Sequence, residues 1–155
     1  MPHRDQRTNR LLSLLSDNDY ERLRPHLSAV AFDYRKSLYE ASREIEQVYF
    51  LVDGVASLVI TTSDGSSAEV GTIGSEGMVG LPICLGDRFA PSAVYVQVPG
   101  SGLRMEAGLF RRELERSPTL NLIMLRYGHA FFNQVAQSAA CAHTGPTMPF
   151  RNSYK

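Results

Sequence analysis

The segment from Val70 to Val98, VGTIGSEGMVGLPICLGDRFAPSAVYVQV, sets Gly71, Gly74, Gly77, Gly80 and Gly86 and the prolines Pro82 and Pro91 between runs that read as strands at 68–73 and 93–98. A stretch this dense in glycine and proline does not sustain a long helix or a regular ladder, so it must be a structured loop between two strands. Glycine permits positive φ and close backbone approach, so such a crossing can bring main-chain N–H groups toward one ligand. It serves equally well as the corners of a hairpin-rich β domain. Composition does not choose between the two.

The rest of the chain falls in place around this loop. From residue 29 to residue 105 the apolar period is two: VAF at 30–32, LYE at 38–40, VYFLV at 48–52, VASLVIT at 55–61, AEVGTI at 68–73, AVYVQV at 93–98 and GLRM at 102–105. Short β-prone runs separated by turn residues predict an antiparallel β-roll or jelly roll. Asp53-Gly54 stands between two of the runs. Asp64-Gly65 stands between two others and has the sequence preferred by tight primed hairpin turns. Residues 40–47 (EASREIEQ) are charged and do not alternate, and are read as a loop. Upstream, residues 1–8 carry no apolar pattern and are expected to be frayed. Leu11, Leu12, Leu14 and Leu15 then begin a first short helix. Ser16, with Asp19 three residues on, has the spacing of a cap for a second helix that ends near Pro25. The fold class expected is α+β, mainly β.

Beyond Met105 the period changes to that of a helix. Residues 106–116 read as one short helix, and Ser117-Pro118 offers an N-cap with proline at the first helical position of a second, long one. That helix is apolar on two faces. Leu120, Met124, Tyr127, Phe131 and Val135 form one stripe, and Leu122, Leu125, Phe132, Ala136 and Ala140 form another. Either the helix is sandwiched in a single core, or one stripe packs on the roll and the other on a second copy of the chain. The second arrangement is favoured, because a small roll offers only one side to so long a helix. The expected organisation is a β-roll domain with its lead-in helices over 9–116, a dimerisation helix over 117–143 and an irregular tail over 144–155, with Leu122, Leu125, Phe132 and Ala136 at a homodimer interface.

The totals exclude several classes. At 155 residues the chain suits one domain with a helix or tail. Lysine plus arginine and aspartate plus glutamate both number 16, which leaves no basic footprint for duplex DNA. The two cysteines, Cys84 and Cys141, lack the grouping of a zinc or iron–sulfur site and are read as reduced, buried thiols. The four histidines, His3, His26, His129 and His143, leave residues 27–128 without one, so the roll has no cupin-type metal set. No metal and no cofactor is expected. Cys84 has no histidine partner in its stretch and the glycine loop has no P-loop lysine, so no enzymatic constellation is found. No apolar run of membrane-spanning length and no secretory leader pattern occurs, which predicts a cytoplasmic protein without a membrane partner.

GSEGMVGLPICLG, with a hairpin through Asp64-Gly65 before it and SAVYVQV after it, resembles the phosphate-binding cassette of the cyclic-AMP receptor protein/fumarate-nitrate regulator (CRP/FNR) transcription regulators. The resemblance runs from about Asn9 to Cys141. It implies a β-roll sensory domain, a dimerising helix and then a winged-helix DNA-binding domain. The TGPTMPFRNSYK segment at 144–155 cannot form that last unit, so the chain is expected to be truncated before it, and to meet DNA only through the missing domain.

The resemblance also locates the departures. Cyclic-nucleotide-binding members place a glutamate directly after the last cassette glycine and an arginine-serine pair further on. Here Leu81 follows Gly80, and Pro91 and Ser92 occupy the pair. Arg88 stands three residues too early. The polar pair that touches the base falls on Val135 and Ala136, with Ser138 a turn too far along. Loss of the charged contacts removes about 1.5 to 3 kcal/mol each, so cyclic AMP is not expected to bind in the usual way. What is left is a concavity with backbone donors at Gly77, Met78, Val79, Gly80 and Leu81, with Ser92 and Ala93 opposite, and an apolar wall from Leu81, Ile83, Cys84 and the helix. It suits either an unidentified small-molecule effector or no ligand at all. The function expected is the effector-sensing and dimerisation module of a CRP/FNR-type regulator; the alternative is a free-standing ligand-binding module that acts on a protein partner.

Overall fold

The computed structural model describes residues 8–144. The expectations for 1–7 and for the tail from 145 onward, and for the thiol of Cys141, lie outside the described residues. Two short helices lead in, α1 (Arg10–Ser13) and α2 (Asp17–Leu23), followed by a 3-10 turn at Arg24–His26. Ser16 caps α2 as its spacing to Asp19 implied, and Asn9 caps α1. The Asn9 side chain accepts from the N–H of Leu12, and the Ser16 side chain accepts from that of Asp19. Leu11, Leu12, Leu15, Tyr20 and Leu23 are buried beneath them.

Eight strands follow: β1 (Ser28–Phe32), β2 (Ser37–Tyr39), β3 (Gln47–Leu51), β4 (Val55–Thr61), β5 (Ser67–Ile73), β6 (Met78–Val79), β7 (Ala93–Val98) and β8 (Gly100–Glu106). They make two antiparallel four-stranded sheets, ordered β1-β8-β3-β6 and β2-β7-β4-β5. The inner faces of both supply the core. β3 is buried along most of its length, and Phe32, Phe50 and Met78 are nearly inaccessible. Phe50 meets Phe110 edge to face, with 5.8 Å between ring centroids. All seven β-prone runs are strands, and the α+β roll is as expected. The eighth strand, β6, is a two-residue bridge inside the glycine loop that pairs with Tyr49 and Phe50 of β3.

Two turns differ from the local reading. Asp53-Gly54 joins strands of different sheets, so it is the corner where the chain changes layer; only Gly54 takes positive φ, at 88°. At Asp64-Gly65 the hairpin is present, but its loop spans residues 62–66 and only Gly65 takes positive φ, at 89°. The Asp64 carboxylate accepts from the hydroxyl of Thr62 and the N–H of Ser66, which holds the aspartate in an ordinary conformation, so the paired positive-φ geometry of a primed turn is not needed.

Two helices close the chain: α4 (Ala107–Arg116) and α5 (Pro118–Thr144). A third small helix, α3 (Leu81–Cys84), precedes them and belongs to the glycine loop. The start of α5 is held firmly. Ser117 Oγ accepts the N–H of Leu120 at 3.1 Å and donates to Asp19 Oδ1 at 2.6 Å, while Thr119 Oγ1 donates to Asp19 Oδ2 at 2.6 Å. Burial opposes ionisation of Asp19, but bonds from Ser117, Thr119 and Ser16 and the charge of Arg22 outweigh it and hold the carboxyl below its ordinary value. A buried anion thus sits at the positive end of the long helix. Asn9 ties the same lead-in to the glycine loop: its amide donates to the carbonyls of Leu51 at 2.7 Å and Gly77 at 2.8 Å, and the N–H of Arg10 donates to Ser75 O at 2.8 Å. Both ends of the functional region are therefore strapped to α1 and α2.

Candidate functional site

The 27 residues of α5 extend about 40 Å. Its first part lies across β5 and the glycine loop, and the expected inner stripe is the one that packs there. Leu120 and Met124 are fully buried, and Tyr127, Phe131 and Val135 are partly so. The glycines make this approach possible. A Cβ on Gly77 would collide with the hydroxyl of Tyr127, and one on Gly71 would stand 3.2 Å from both Phe131 and Val135. On the helix itself, Gly128 faces Leu81, whose methyl lies 3.3 Å from where a Cβ would be. Here glycine serves as a seat for a helix, since a side chain on either surface would hold the two apart.

Where the packing is incomplete a cavity of about 130 Å³ remains between β4, β5, α3, the Ala90–Ser92 turn and α5. Of the seven ligand-site residues expected from sequence, Met78, Gly80, Leu81 and Ser92 line it. Gly77 lies just outside, under Tyr127; Val79 is buried in β6, and Ala93 begins β7, and neither lines the cavity. Ile83 and Cys84 are buried on the far side of α3; Cys84 Sγ donates to Met78 Sδ at 4.0 Å. Burial pushes that thiol up to about 12. The backbone donors expected to converge are partly taken by the fold itself: the N–H of Gly77 bonds Gly74 O at 3.1 Å, and Met78 and Val79 pair with β3.

The residues the sequence did not mark are Tyr39, Leu58, Ile73, Ala90, Tyr127 and Phe131, brought in from β2, β4, β5, the turn and α5. Tyr127 and Phe131 were visible as members of the inner stripe; Tyr39, Leu58 and Ile73 sit in ordinary strand patterns and Ala90 in a turn, and these carry no separate signal. No charged side chain lines the cavity. Its three side-chain hydroxyls each have a polar neighbour. Tyr39 and Ser92 stand within interaction range of each other, and Tyr127 donates to Met78 O at 3.3 Å. Burial pushes the Tyr39 phenol up to about 12, partly offset by Ser92, and raises that of Tyr127 as well, so both are neutral at physiological pH. Arg88 does not enter. It is exposed and stands 3.9 Å from Glu44 across a different groove.

The cavity thus lies between the rim of the β-roll and the helix packed over it. A family model described as the cyclic nucleotide-binding domain matches residues 30–117. The chain belongs to the cyclic nucleotide-binding domain family. No curated protein matches it. Among solved structures, this cyclic nucleotide-binding domain is similar to the sensor domain of the transcriptional regulator DNR from Pseudomonas aeruginosa, at 14% identity over 88% of this chain and 91% of that one, with a TM-score of 0.66. It is likewise similar to the N-terminal domain of a transcriptional regulator from Streptomyces coelicolor A3(2), at 18% identity over 87% and 94% of the two chains, with a TM-score of 0.60. It also resembles CLP, a c-di-GMP-responsive global regulator of Xanthomonas campestris, at 14% identity and a TM-score of 0.66; the match covers 83% of this chain and 64% of that one. At these identities the likeness is one of fold. The cassette resemblance read from the sequence therefore agrees with both the domain family and the fold. Among the described residues no group of three or more metal-binding side chains occurs, and no helix is long and apolar enough to cross a membrane.

The second stripe of α5 faces away from the roll. Phe132 is 69% exposed, Leu122 47% and Leu125 42%, and Ala136 is exposed as well.

Proposed function

We propose that this cyclic nucleotide-binding domain is the effector-sensing and dimerisation module of a CRP/FNR-type transcription regulator, and that its cavity does not take cyclic AMP in the usual way. One observation carries the reading. A single helix, α5, closes the cavity with Tyr127 and Phe131 and exposes Leu122, Leu125 and Phe132 on its other side. An effector that changes how Tyr127 and Phe131 seat thereby changes the surface offered to a second copy. An apolar stripe of that size, left in water on a small protein, marks an interaction surface. A second copy of α5 meets it isologously, each side chain facing its mate or a neighbour one turn away.

DNA reading in such a regulator belongs to a winged-helix unit, and two subunits would set paired reading helices about one helical turn of DNA apart. The test is the mass in solution. Light scattering after size exclusion is expected to give twice the 17.2 kDa chain mass for the wild type. Phe132→Glu is expected to give a folded monomer, because the dimer would bury a carboxylate beside its twin. A wild type that runs as a monomer refutes the dimer reading.

A further inference from the structure

We infer that the cavity takes a small uncharged apolar molecule, about the size of a single-ring arene, as its effector. This deepens the sensory-module reading above and rests on it. The argument begins with what a polar ligand would need. A phosphate or carboxylate requires a cation or free donors, and no charged side chain lines the cavity. Of the three hydroxyls within reach, Tyr127 is bonded to Met78 O at 3.3 Å, and Tyr39 and Ser92 lie against each other. A ligand with strong hydrogen-bonding groups would have to break into these contacts or rely on the backbone N–H groups of Gly80 and Leu81 alone, whereas an apolar one leaves them intact.

Size points the same way. The cavity measures about 130 Å³, close to the cavity of roughly 150 Å³ lined by leucine, isoleucine and phenylalanine that stays dry and admits benzene or xenon. It is not a gap that the fold can simply close. Tyr127 rests on Gly77, Phe131 and Val135 on Gly71, and Leu81 on Gly128, so α5 has already reached contact on both sides. The wall opposite is equally fixed, because Ala90 O accepts the N–H of Ser42 at 2.8 Å. The mouth is apolar too. Leu85, 61% exposed, and Pro91, also exposed, stand at the rim, so an apolar molecule meets carbon from the surface inward.

The experiment uses the 155-residue chain and toluene as the probe. At about tenfold excess over its dissociation constant, toluene is expected to raise the melting temperature by about 3 °C. Nuclear Overhauser contacts from the toluene ring are expected at the methyl groups of Met78 and Ile73. Leu58→Phe fills the cavity and should abolish the rise while leaving the circular dichroism of the roll unchanged. Should that variant not fold, the contact map on the wild type decides alone. Absence of both the rise and the contacts overturns the inference, as do contacts confined to Leu122, Leu125 and Phe132. Light scattering in parallel separates the two readings: a dimer indifferent to toluene sinks the ligand class and leaves the module, whereas a toluene-binding monomer does the reverse.

Discussion

Replacing Asp19 by alanine should weaken the whole assembly, because this carboxylate hydrogen-bonds both Ser117 and Thr119 at the start of the helix that closes the cavity. Two bonds of 2.6 Å to an ionised acceptor are worth about 1.5 to 3 kcal/mol each. Part of that is recovered in the variant. The two hydroxyls already stand 3.0 Å apart and can pair, and Ser117 still caps Leu120. Loss of an anion from the positive end of α5 adds about 0.5 kcal/mol. The net cost is about 3 kcal/mol, which for a chain of this length lowers the melting temperature by about 6 to 12 °C.

Acid titration supplies the independent check. The folded carboxyl lies below its ordinary value of 3.8, so in mild acid the unfolded chain binds the proton more readily than the folded one. The stabilisation is therefore complete above about pH 4 and is withdrawn as the pH falls toward the lowered folded value. Urea unfolding followed by circular dichroism at pH 7 and at steps below pH 4 measures both effects. Asp19→Asn keeps the shape but not the charge, and should lose stability at pH 7 while flattening the acid limb. A variant within about 0.5 kcal/mol of wild type, or one with an unchanged acid limb, would refute the role given to this contact.

Other outcomes follow from the same geometry. Asn9→Ala leaves the carbonyls of Leu51 and Gly77 without their donor and α1 without its cap, and should cost about 2 to 4 kcal/mol by urea unfolding, with faster amide exchange at Gly77; unchanged exchange there would show that the strap does not hold the loop. Cyclic AMP should give no thermal shift, whereas a ligand at a hundredfold excess over its dissociation constant would add about 2.7 kcal/mol; a clear rise at micromolar concentration would mean that a cation, Arg88 being the nearest candidate in the loop, swings into the site.

Much of this architecture could be read along the chain because it is decided by neighbours. Alternation of period two marked seven strands, Ser16 and Ser117 marked helix starts, and the two stripes of α5 separated by burial as their spacing implied. Each of these rests on a local rule, on caps three residues away or on side chains one turn apart. Of the seven site residues expected, four, Met78, Gly80, Leu81 and Ser92, reach the cavity, for the same reason.

The rest was settled between residues far apart in sequence. Whether Asp53-Gly54 is a hairpin or a corner depends on which sheet each flanking strand joins, and the two-residue β6 exists only because β3 lies beside it. Asp19 finds Ser117 at a separation of 98 residues, and Ser92 comes beside Tyr39 of β2, so the serine that sequence left free for a ligand has a phenol as its neighbour. The glycines show the division most directly. Their spacing alone allows either a cradle of N–H donors or a set of corners, but Gly71 and Gly77 lie under Phe131, Val135 and Tyr127. That pairing of small with large residues across two packed elements is a matter of volume and closeness of approach, which no single stretch of sequence contains.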